Sequence, residues 1–216
     1  MSPHMTKRYH ATLVSHTHWD RAWYCTFQEY RVRLVRLVDR LIALLEARPD
    51  YRFFMLDGQT SVLEDYLEVR PERAAALQAL ARAGRISVGP WYVLPDEFLV
   101  SAEALIRNLM LGHRMGEPYG GVMKAGYVPD GFGHIAQLPQ ILRGFDIDSA
   151  FFWRGVGTEA DHLGTEFEWV AKDGSRVTAI WMPWGYHNLS NLGYPIRWGD
   201  TSQMAFDWDL AMTQVR

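Results

Sequence analysis

The alternation of short apolar strands with amphipathic helices is the feature that most constrains how this chain of 216 residues can fold. Six apolar runs without helical period predict strands, over His10–Ser15, Tyr51–Leu56, Arg85–Val88, Lys124–Val128, Ser149–Trp153 and Arg176–Met182. Runs of helical character predict helices over Gln28–Ala47, Ser61–Val69, Glu72–Ala83, Ala102–Met115, Leu138–Arg143 and Trp208–Gln214. Strands that alternate with helices favour an α/β fold with a mostly parallel sheet.

Composition excludes several classes of protein. The 22 Lys and Arg against 25 Asp and Glu give a net charge of −3, so there is no basic field to hold nucleic acid or an anionic membrane. The single cysteine, Cys25, excludes a disulfide framework and a cysteine-based zinc site. No apolar run is long enough to span a bilayer, and residues 1–10 lack the apolar segment of a signal peptide. We predict a soluble, cytoplasmic protein in which residues 1–9 are a leader or disordered start.

Polar and ionisable side chains follow the predicted strands. They lie in the segments 15–20, 57–59, 91–97, 129–134, 153–154 and 184–188. Because the carboxyl ends of parallel strands meet at one rim of an α/β sheet or barrel, where active sites form, we expect these segments to meet at a functional site.

The segment His-Thr-His-Trp-Asp after the first predicted strand is a candidate metal site. In an extended segment, side chains two residues apart point the same way, so His16, His18 and Asp20 share one face. Imidazole and carboxylate together suit Zn²⁺ or a similar divalent ion. The alternative is that these residues cap helices and complete turns, as His and Asp often do.

Asp130 is the second candidate. Its neighbours Pro129 and Gly131 hold the backbone in a tight conformation that projects the carboxylate from the rim, although an ordinary turn has the same sequence. His134, four residues further on, is either a ligand or a hydrogen-bonded core histidine. Arg154 either orients a hydroxyl-rich or anionic substrate or pairs with a neighbouring carboxylate.

Two further features of the sequence lie near the predicted rim. Asp96 and Glu97 form an acidic pair typical of the start of a helix, where negative charge meets the helix dipole. Aromatic residues make up 13% of the chain and many lie in Gly- and Pro-rich loops. Flat rings near loops suit stacking on the C–H faces of sugars, although most aromatic rings in proteins fill the core.

Three segments of the chain resemble the family 38 glycoside hydrolases, which are zinc-dependent retaining α-mannosidases. The segments are residues 15–23 (SHTHWDRAW), 89–97 (GPWYVLPDE) and 126–134 (GYVPDGFGH). The three occur in the order and rough spacing of the family, and the resemblance spans residues 10 to 190.

The resemblance implies a function and a site. It implies hydrolysis of terminal α-mannosides with retention of configuration, on a seven-stranded β/α barrel to which residues 10–216 contribute. The family's zinc ligands fall on His18 and Asp20, and its nucleophile, also a zinc ligand, falls on Asp130. Substrate contacts are implied for Trp23, Phe132, Arg154 and Tyr186. The expected cofactor is Zn²⁺ and the expected substrate a mannose-containing oligosaccharide or glycoside.

The chain also departs from the family pattern. Bacterial members commonly have Glu where this chain has Ala22. The family's acid/base Asp and its fourth ligand, a His, come from segments C-terminal to those matched here. We therefore expect an incomplete barrel whose exposed sheet edge favours self-association.

Two other functions are compatible with parts of the pattern. A metal-dependent amidohydrolase or deacetylase also begins with His-x-His after a first strand, but it needs further rim histidines, of which His187 is the well-placed one. An inactive carbohydrate-binding fragment is the third possibility, since the acid/base group falls outside the matched segments.

Overall fold

The computed structural model describes residues 12–187, 189–195 and 204–215, with residues 160 and 161 described by their backbone alone. The helices in this part of the chain are α1 (Phe27–Ala47), α2 (Ser61–Leu67), α3 (Ala74–Arg82), α4 (Ala102–Gly116), α5 (Leu138–Arg143) and α6 (Trp208–Gln214). The strands are β1 (Phe54–Met55), β2 (Ile86–Ser87), β3 (Gly126–Tyr127), β4 (Ser149–Phe152), β5 (Glu166–Val170) and β6 (Arg176–Trp181). Short 3₁₀ turns lie at Pro71–Arg73, Glu117–Tyr119 and Thr158–Asp161.

Residues Ser15–Tyr186 form one compact unit with two apolar cores. The first core lies between α1, α2, α3 and the parallel pair β1–β2, and its fully buried side chains include Leu34, Val38, Ile42, Leu63 and Leu77. The second core lies between α4, α5 and the larger sheet, and includes Trp91, Leu109, Leu138, Leu142 and Ala150. The site described below lies where the segments after both sets of strands meet.

Helix α1 shows how local sequence defines an element of the first core. Thr26 caps its first turn in a capping box with Glu29, which satisfies backbone N–H groups that have no helical partner. Leu34, Val38 and Ile42 recur four residues apart and are buried. At its end, the Arg85 guanidinium donates to four backbone carbonyls between residues 45 and 52, so the helix is joined to the start of β2.

The larger sheet has the strand order β3-β4-β6-β5. β3, β4 and β6 run parallel, and β5 pairs antiparallel with β6 at the edge. Helix α4 packs closely on the segment after β2, since a side chain at Gly112 would clash with the backbone of residues 90–92. Asn108 of the same helix bonds the backbone of Tyr92 and Val93.

The α/β class predicted from the sequence is confirmed, with two corrections. The strand predicted over His10–Ser15 is wrong for its described residues, 12–15, which form no strand because their apolar side chains Leu13 and Val14 are exposed rather than packed. The nearest pairing is a single bridge one residue further on, between His16 and Met55. Strand β5 was not predicted, since its alternating pattern carries two glutamates. The described strands form sheets of two and four, without a closed barrel, so the seven-stranded barrel stays a prediction.

Residues 12–14 and the described residues from His187 onward form a second, smaller unit. Within it, Asp207 caps α6 through Leu210 N–H, and the side-chain amide of Gln214 accepts from Gly193 N–H. No helix in the described part of the chain has both the length and the apolar character needed to cross a membrane. The leader predicted over residues 1–9 lies outside the described residues.

Candidate active site

The structure brings together three predicted metal ligands from two loops. His18 and Asp20 lie on residues 15–21, which we call the ligand loop, and Asp130 lies on residues 129–134, which we call the carboxylate loop. His18 Nε2 is 3.6 Å from Asp20 Oδ1 and 3.6 Å from Asp130 Oδ2. Potential ligand atoms of the three residues all lie within 4.8 Å of one another. The group can therefore hold a metal ion.

The donor set fits a divalent cation such as Zn²⁺. Both ring nitrogens of His18 are buried, and neither has a hydrogen-bond partner among the described residues. A buried polar atom without a partner is costly, and one that faces two carboxylate oxygens is suited to metal binding. His16 does not join this group: its Nε2 lies 2.7 Å from the carbonyl oxygen of Tyr186. The expectation that His16, His18 and Asp20 share a face is wrong, because the ligand loop is not a regular strand.

The buried side chains of Asp57 and Gln59 hold the ligand loop at Trp19, which lies between the two ligand residues. Trp19 N–H donates to Asp57 Oδ2 at 3.0 Å, and Gln59 Nε2 donates to the Trp19 carbonyl at 2.7 Å. Gln59 Nε2 also lies 2.8 Å from Asp57 Oδ2. Burial raises the pKa of the Asp57 carboxyl, while the nearby His18 and these donors act in the opposite direction.

Arg21 anchors the end of the ligand loop to α2. Its Nε and Nη2 donate to the two oxygens of Asp65, each at 2.7 Å, and Asp65 is buried. The hydrogen bonds and charge of Asp65 raise the pKa of Arg21 against the effect of burial. A bidentate pair fixes the orientation of both side chains.

The carboxylate loop follows β3, at the end of a strand as predicted. Its base touches the segment 57–59: a side chain at Gly58 would lie 2.8 Å from the Tyr127 ring and 3.1 Å from the Tyr127 carbonyl oxygen. That carbonyl accepts from Trp91 Nε1 at 3.1 Å. Only glycine allows this approach, so the ends of β1, β2 and β3 are locked together beneath the site.

A buried ion pair supports the carboxylate loop from behind. His134 Nδ1 is 2.7 Å from Glu97 Oε1, and Ile135 N–H donates to Glu97 Oε2 at 2.9 Å. His134 Nε2 is 2.9 Å from the Arg154 carbonyl oxygen. The prediction of a hydrogen-bonded histidine is confirmed. The assignment of Glu97 to the start of a helix is wrong, because α4 begins at Ala102 with Ser101 as its cap.

Both partners of His134 are acceptors, so its ring donates from both nitrogens, as the charged imidazolium does. Burial lowers the pKa of His134, but the hydrogen bond and charge of Glu97, the Arg154 carbonyl and the charge of Asp96 outweigh it, and the net shift is upward.

Arg154 contacts Asp130 from the other side. Its Nε is 2.9 Å from Asp130 Oδ1, and its guanidinium lies over the Trp153 and Phe132 rings, 4.0 and 5.1 Å from their centroids. The aromatic faces and the ion pair together fix the orientation of the guanidinium. Of the two interpretations of Arg154, the ion pair is observed, and its partner is Asp130.

Tyr186 covers the opposite side of His18. The two rings stack with centroids 4.2 Å apart, and Trp153 packs edge-on to Tyr186 at 5.5 Å. Burial, with the charges of Asp130 and Asp20, raises the pKa of Tyr186 to about 12. The Tyr186 phenol therefore stays protonated over the ordinary pH range.

A cleft of about 250 Å³ opens beside the three ligands. Both loops line it, together with Gln59 and residues 93–96. Phe132 is in its wall and largely exposed. Trp23 is not among the described residues of the wall: its ring stacks on Tyr24 at 4.0 Å, and 68% of it is exposed.

The fold and site define an α/β protein with a rim site of one imidazole and two carboxylates beside a cleft. The comparisons specify the family. The model of the glycosyl hydrolases family 38 N-terminal domain matches residues 8–215. The chain therefore belongs to this family of glycosidases.

Several relatives within the family match most of this chain but only a small share of their own length. The chain is 42% identical over 189 residues to a putative mannosylglycerate hydrolase of Halalkalibacterium halodurans, covering 82% of this chain and 21% of that protein. It is 31% identical over 180 residues to human alpha-mannosidase 2C1, covering 81% of this chain and 17% of that protein. The crystal structure of an alpha-mannosidase from Enterococcus faecalis matches with a TM-score of 0.80 at 34% identity, covering 93% of this chain and 22% of that one. The chain thus spans about a fifth of the length of these relatives.

Proposed function

We propose that residues 10–216 contribute to the catalytic domain of a retaining α-mannosidase, in which Asp130 is the nucleophile that attacks terminal α-mannosides. The observation that carries the proposal is the setting of the Asp130 carboxylate. One oxygen is paired with Arg154 at 2.9 Å and the other faces His18 at 3.6 Å, at the edge of an open cleft. A retaining glycosidase needs such an oriented carboxylate to attack the anomeric carbon, while a second group protonates the leaving oxygen.

The remaining residues have roles in binding and orientation. His18, Asp20 and Asp130 would hold a zinc ion, which when bound supplies a Lewis acid for the hydroxyl groups of the sugar. Arg154 keeps the Asp130 carboxylate in one orientation. Phe132, largely exposed in the cleft wall, would contact a mannose ring, and Tyr186, stacked on His18, is the second proposed contact. Trp23, which is exposed next to the ligand loop, offers a further ring for the substrate. The two sheets would be part of a seven-stranded barrel.

The amidohydrolase alternative receives less support from the site. It requires a pair of histidines on the first loop, whereas His16 is bonded to the Tyr186 carbonyl. The alternative of a carbohydrate-binding fragment without activity is left to the experiment.

The test compares Asp130→Asn with the unchanged protein in its longest natural form, on an aryl α-mannoside. We expect the variant to lose turnover by a factor of about 10⁴ or more, as when a nucleophile is removed. NMR of the sugar first released by the unchanged protein should show the α-anomer. The exposed Asp148→Asn, outside the cleft wall, is the control and should keep full activity.

Three outcomes would contradict the proposal. Retained turnover in Asp130→Asn would remove Asp130 as nucleophile, and release of the β-anomer would exclude retention. Mannose binding without turnover in the unchanged protein would favour the carbohydrate-binding alternative.

A further inference from the structure

The backbone of Trp19 is held in an unusual way. Trp19 lies between His18 and Asp20, so its two peptide groups connect directly to both ligand residues. Its N–H donates to the Asp57 carboxylate at 3.0 Å and its carbonyl accepts from the Gln59 amide at 2.7 Å. Both backbone groups of this residue are thus bonded to side chains from a distant segment. The last ladder-type contact before it is Thr17 N–H to the Met55 carbonyl, at 3.3 Å.

The two supporting side chains are themselves fixed. Asp57 and Gln59 are 0% and 2% exposed. Asp57 Oδ1 accepts from Gly58 N–H at 2.8 Å, Asp57 Oδ2 accepts from Gln59 Nε2, and Ser61 Oγ donates to Gln59 Oε1 at 3.2 Å. Each carboxylate and amide oxygen therefore has a donor, and little rotational freedom is left. Asp57 also has a positive φ of 53°, a conformation that Asp tolerates better than most residues.

This network is costly to maintain as a purely structural device. A buried carboxylate loses its hydration, and an apolar pair of the same volume is often as stable or more so. The network has one geometric effect that an apolar pair lacks, since it fixes the rotation of the Trp19 peptide groups. That rotation sets the separation and direction of the His18 and Asp20 side chains.

We propose that Asp57 and Gln59 are positioning residues for the metal site, acting through the Trp19 backbone. In this role the two side chains act through the Trp19 backbone and not as ligands of the metal ion, although Gln59 also lines the cleft. The inference rests on the proposed function, because it requires His18 and Asp20 to bind a metal ion. Without the two side chains, the ligand loop would sample several spacings of its ligands, so metal would bind more weakly and with altered geometry while the cores stay packed.

The test measures Co²⁺ binding to the protein in its longest natural form, with Co²⁺ as a spectroscopic substitute for zinc. Gln59→Met keeps the side-chain length but removes the donor to Trp19. We expect its Co²⁺ dissociation constant to rise tenfold or more, the range seen when groups supporting a metal ligand are removed. The visible absorption bands of the bound Co²⁺ should also shift, because they report coordination geometry.

Tyr66→Phe is the matched control. Tyr66 is fully buried in the first core, and its hydroxyl donates to Asp39 on α1 rather than to the ligand loop, so the variant loses that one hydrogen bond. We expect this variant to lower the unfolding midpoint of the metal-free chain but to leave Co²⁺ affinity and spectrum unchanged. A loss of affinity in Tyr66→Phe as large as in Gln59→Met would overturn the inference.

Asp57→Asn gives an independent measurement if Gln59→Met does not fold. Asn has one acceptor oxygen in place of two, so at least one of the donors from Trp19, Gln59 and Gly58 loses its partner. Folded variants that bind Co²⁺ with unchanged affinity and spectrum would overturn the positioning role alone. If the unchanged protein in its longest natural form binds no Co²⁺, the metal site itself is overturned and this inference with it.

Discussion

The ligand loop and the carboxylate loop meet at the same site but are held by different kinds of contact. The ligand loop has one strand-like bridge, at His16, whose ring also bonds the Tyr186 carbonyl, and polar side chains at residues 57, 59 and 65 hold the rest of the loop. The carboxylate loop leaves a strand of the four-stranded sheet and is supported by the buried His134–Glu97 pair. Where regular pairing is sparse, buried side chains that bond the backbone have to replace it.

The two loops should therefore respond differently to mutation. A substitution that breaks the His134–Glu97 pair behind the carboxylate loop leaves an unpaired charge inside the second core. It should therefore lower the free energy of unfolding of the whole unit. A substitution of a side chain that supports the ligand loop removes contacts at the edge of the first core. Its effect on the free energy of unfolding should therefore be smaller and more local. The following variants test that contrast.

The largest effect is expected from Glu97→Ala. The Glu97 and His134 side chains are 0% and 7% exposed, so the variant leaves the His134 charge and the Ile135 N–H buried without their partner. Breaking a buried pair in this way costs about 3–5 kcal/mol. Chemical denaturation gives the free energy of unfolding. Glu103→Ala, which breaks the exposed pair with Arg107, is the control and should change little; equal losses would show that Glu97 has no special role.

A smaller loss is expected from Asp65→Ala in the ligand-loop support. The variant removes both hydrogen bonds to Arg21, but the Arg21 guanidinium is partly exposed and can be hydrated instead. Hydrogen bonds to charged groups contribute about 1.5–3 kcal/mol, so we expect a loss of about 2 kcal/mol in the same measurement. A loss as large as that of Glu97→Ala would remove the proposed contrast between the loops.

The His134 ring, which supports the carboxylate loop, should contribute to the pH dependence of the free energy of unfolding. The folded pKa of His134 is raised above 6.5, its ordinary value. The stabilisation from the charged ring is therefore fully present below the unfolded pKa and is lost as pH rises through the raised folded pKa. The free energy of unfolding, measured from about pH 6 to 9, should fall less steeply in His134→Gln. Identical profiles would mean that His134 is neutral in the folded protein.

The smallest effect on stability is expected from Trp23→Ala, just after the ligand loop. The ring is 68% exposed, so the change in the free energy of unfolding should be below about 0.5 kcal/mol. If Trp23 contacts the sugar, the apparent affinity for a mannoside should fall by roughly fivefold, equivalent to about 1 kcal/mol, with Co²⁺ affinity unchanged. Equal losses of sugar and metal binding would indicate that Trp23 only packs against the loop.

Much of the fold was predictable from the sequence because its signals are local. The predicted bounds of α5 and α6 agree with the structure, and α4 begins at Ala102 as predicted. Strands were overestimated: β1 pairs over Phe54–Met55 only, although the apolar run extends from Tyr51 to Leu56. An apolar run in the sequence indicates that a segment is buried. A strand also requires a neighbouring strand that pairs with it in register, and the fold determines which segment that is.

The candidate ligands were found through motifs, but the contacts that hold them were not. Glu97 follows Pro95 and Asp96, a context typical of the start of a helix, and its partner His134 is 37 residues away in the chain. Asp57 and Gln59 were noted as rim residues without a role, since nothing near them in sequence points to the backbone of Trp19. Such long-range side-chain-to-backbone bonds have no periodic signature.

The close approach at Gly58 has a consequence for the order of folding. The bonds around it join Trp19 to Asp57 across 38 residues of chain and Trp91 to Tyr127 across 36. Contacts between such distant segments form only after the costly closure of long loops, so the ligands converge late. We therefore expect a metal ion at the proposed site to bind only after these segments have come together. If the proposed site binds Co²⁺, the added ion should leave the refolding rate unchanged and slow unfolding, so that the native state persists for longer.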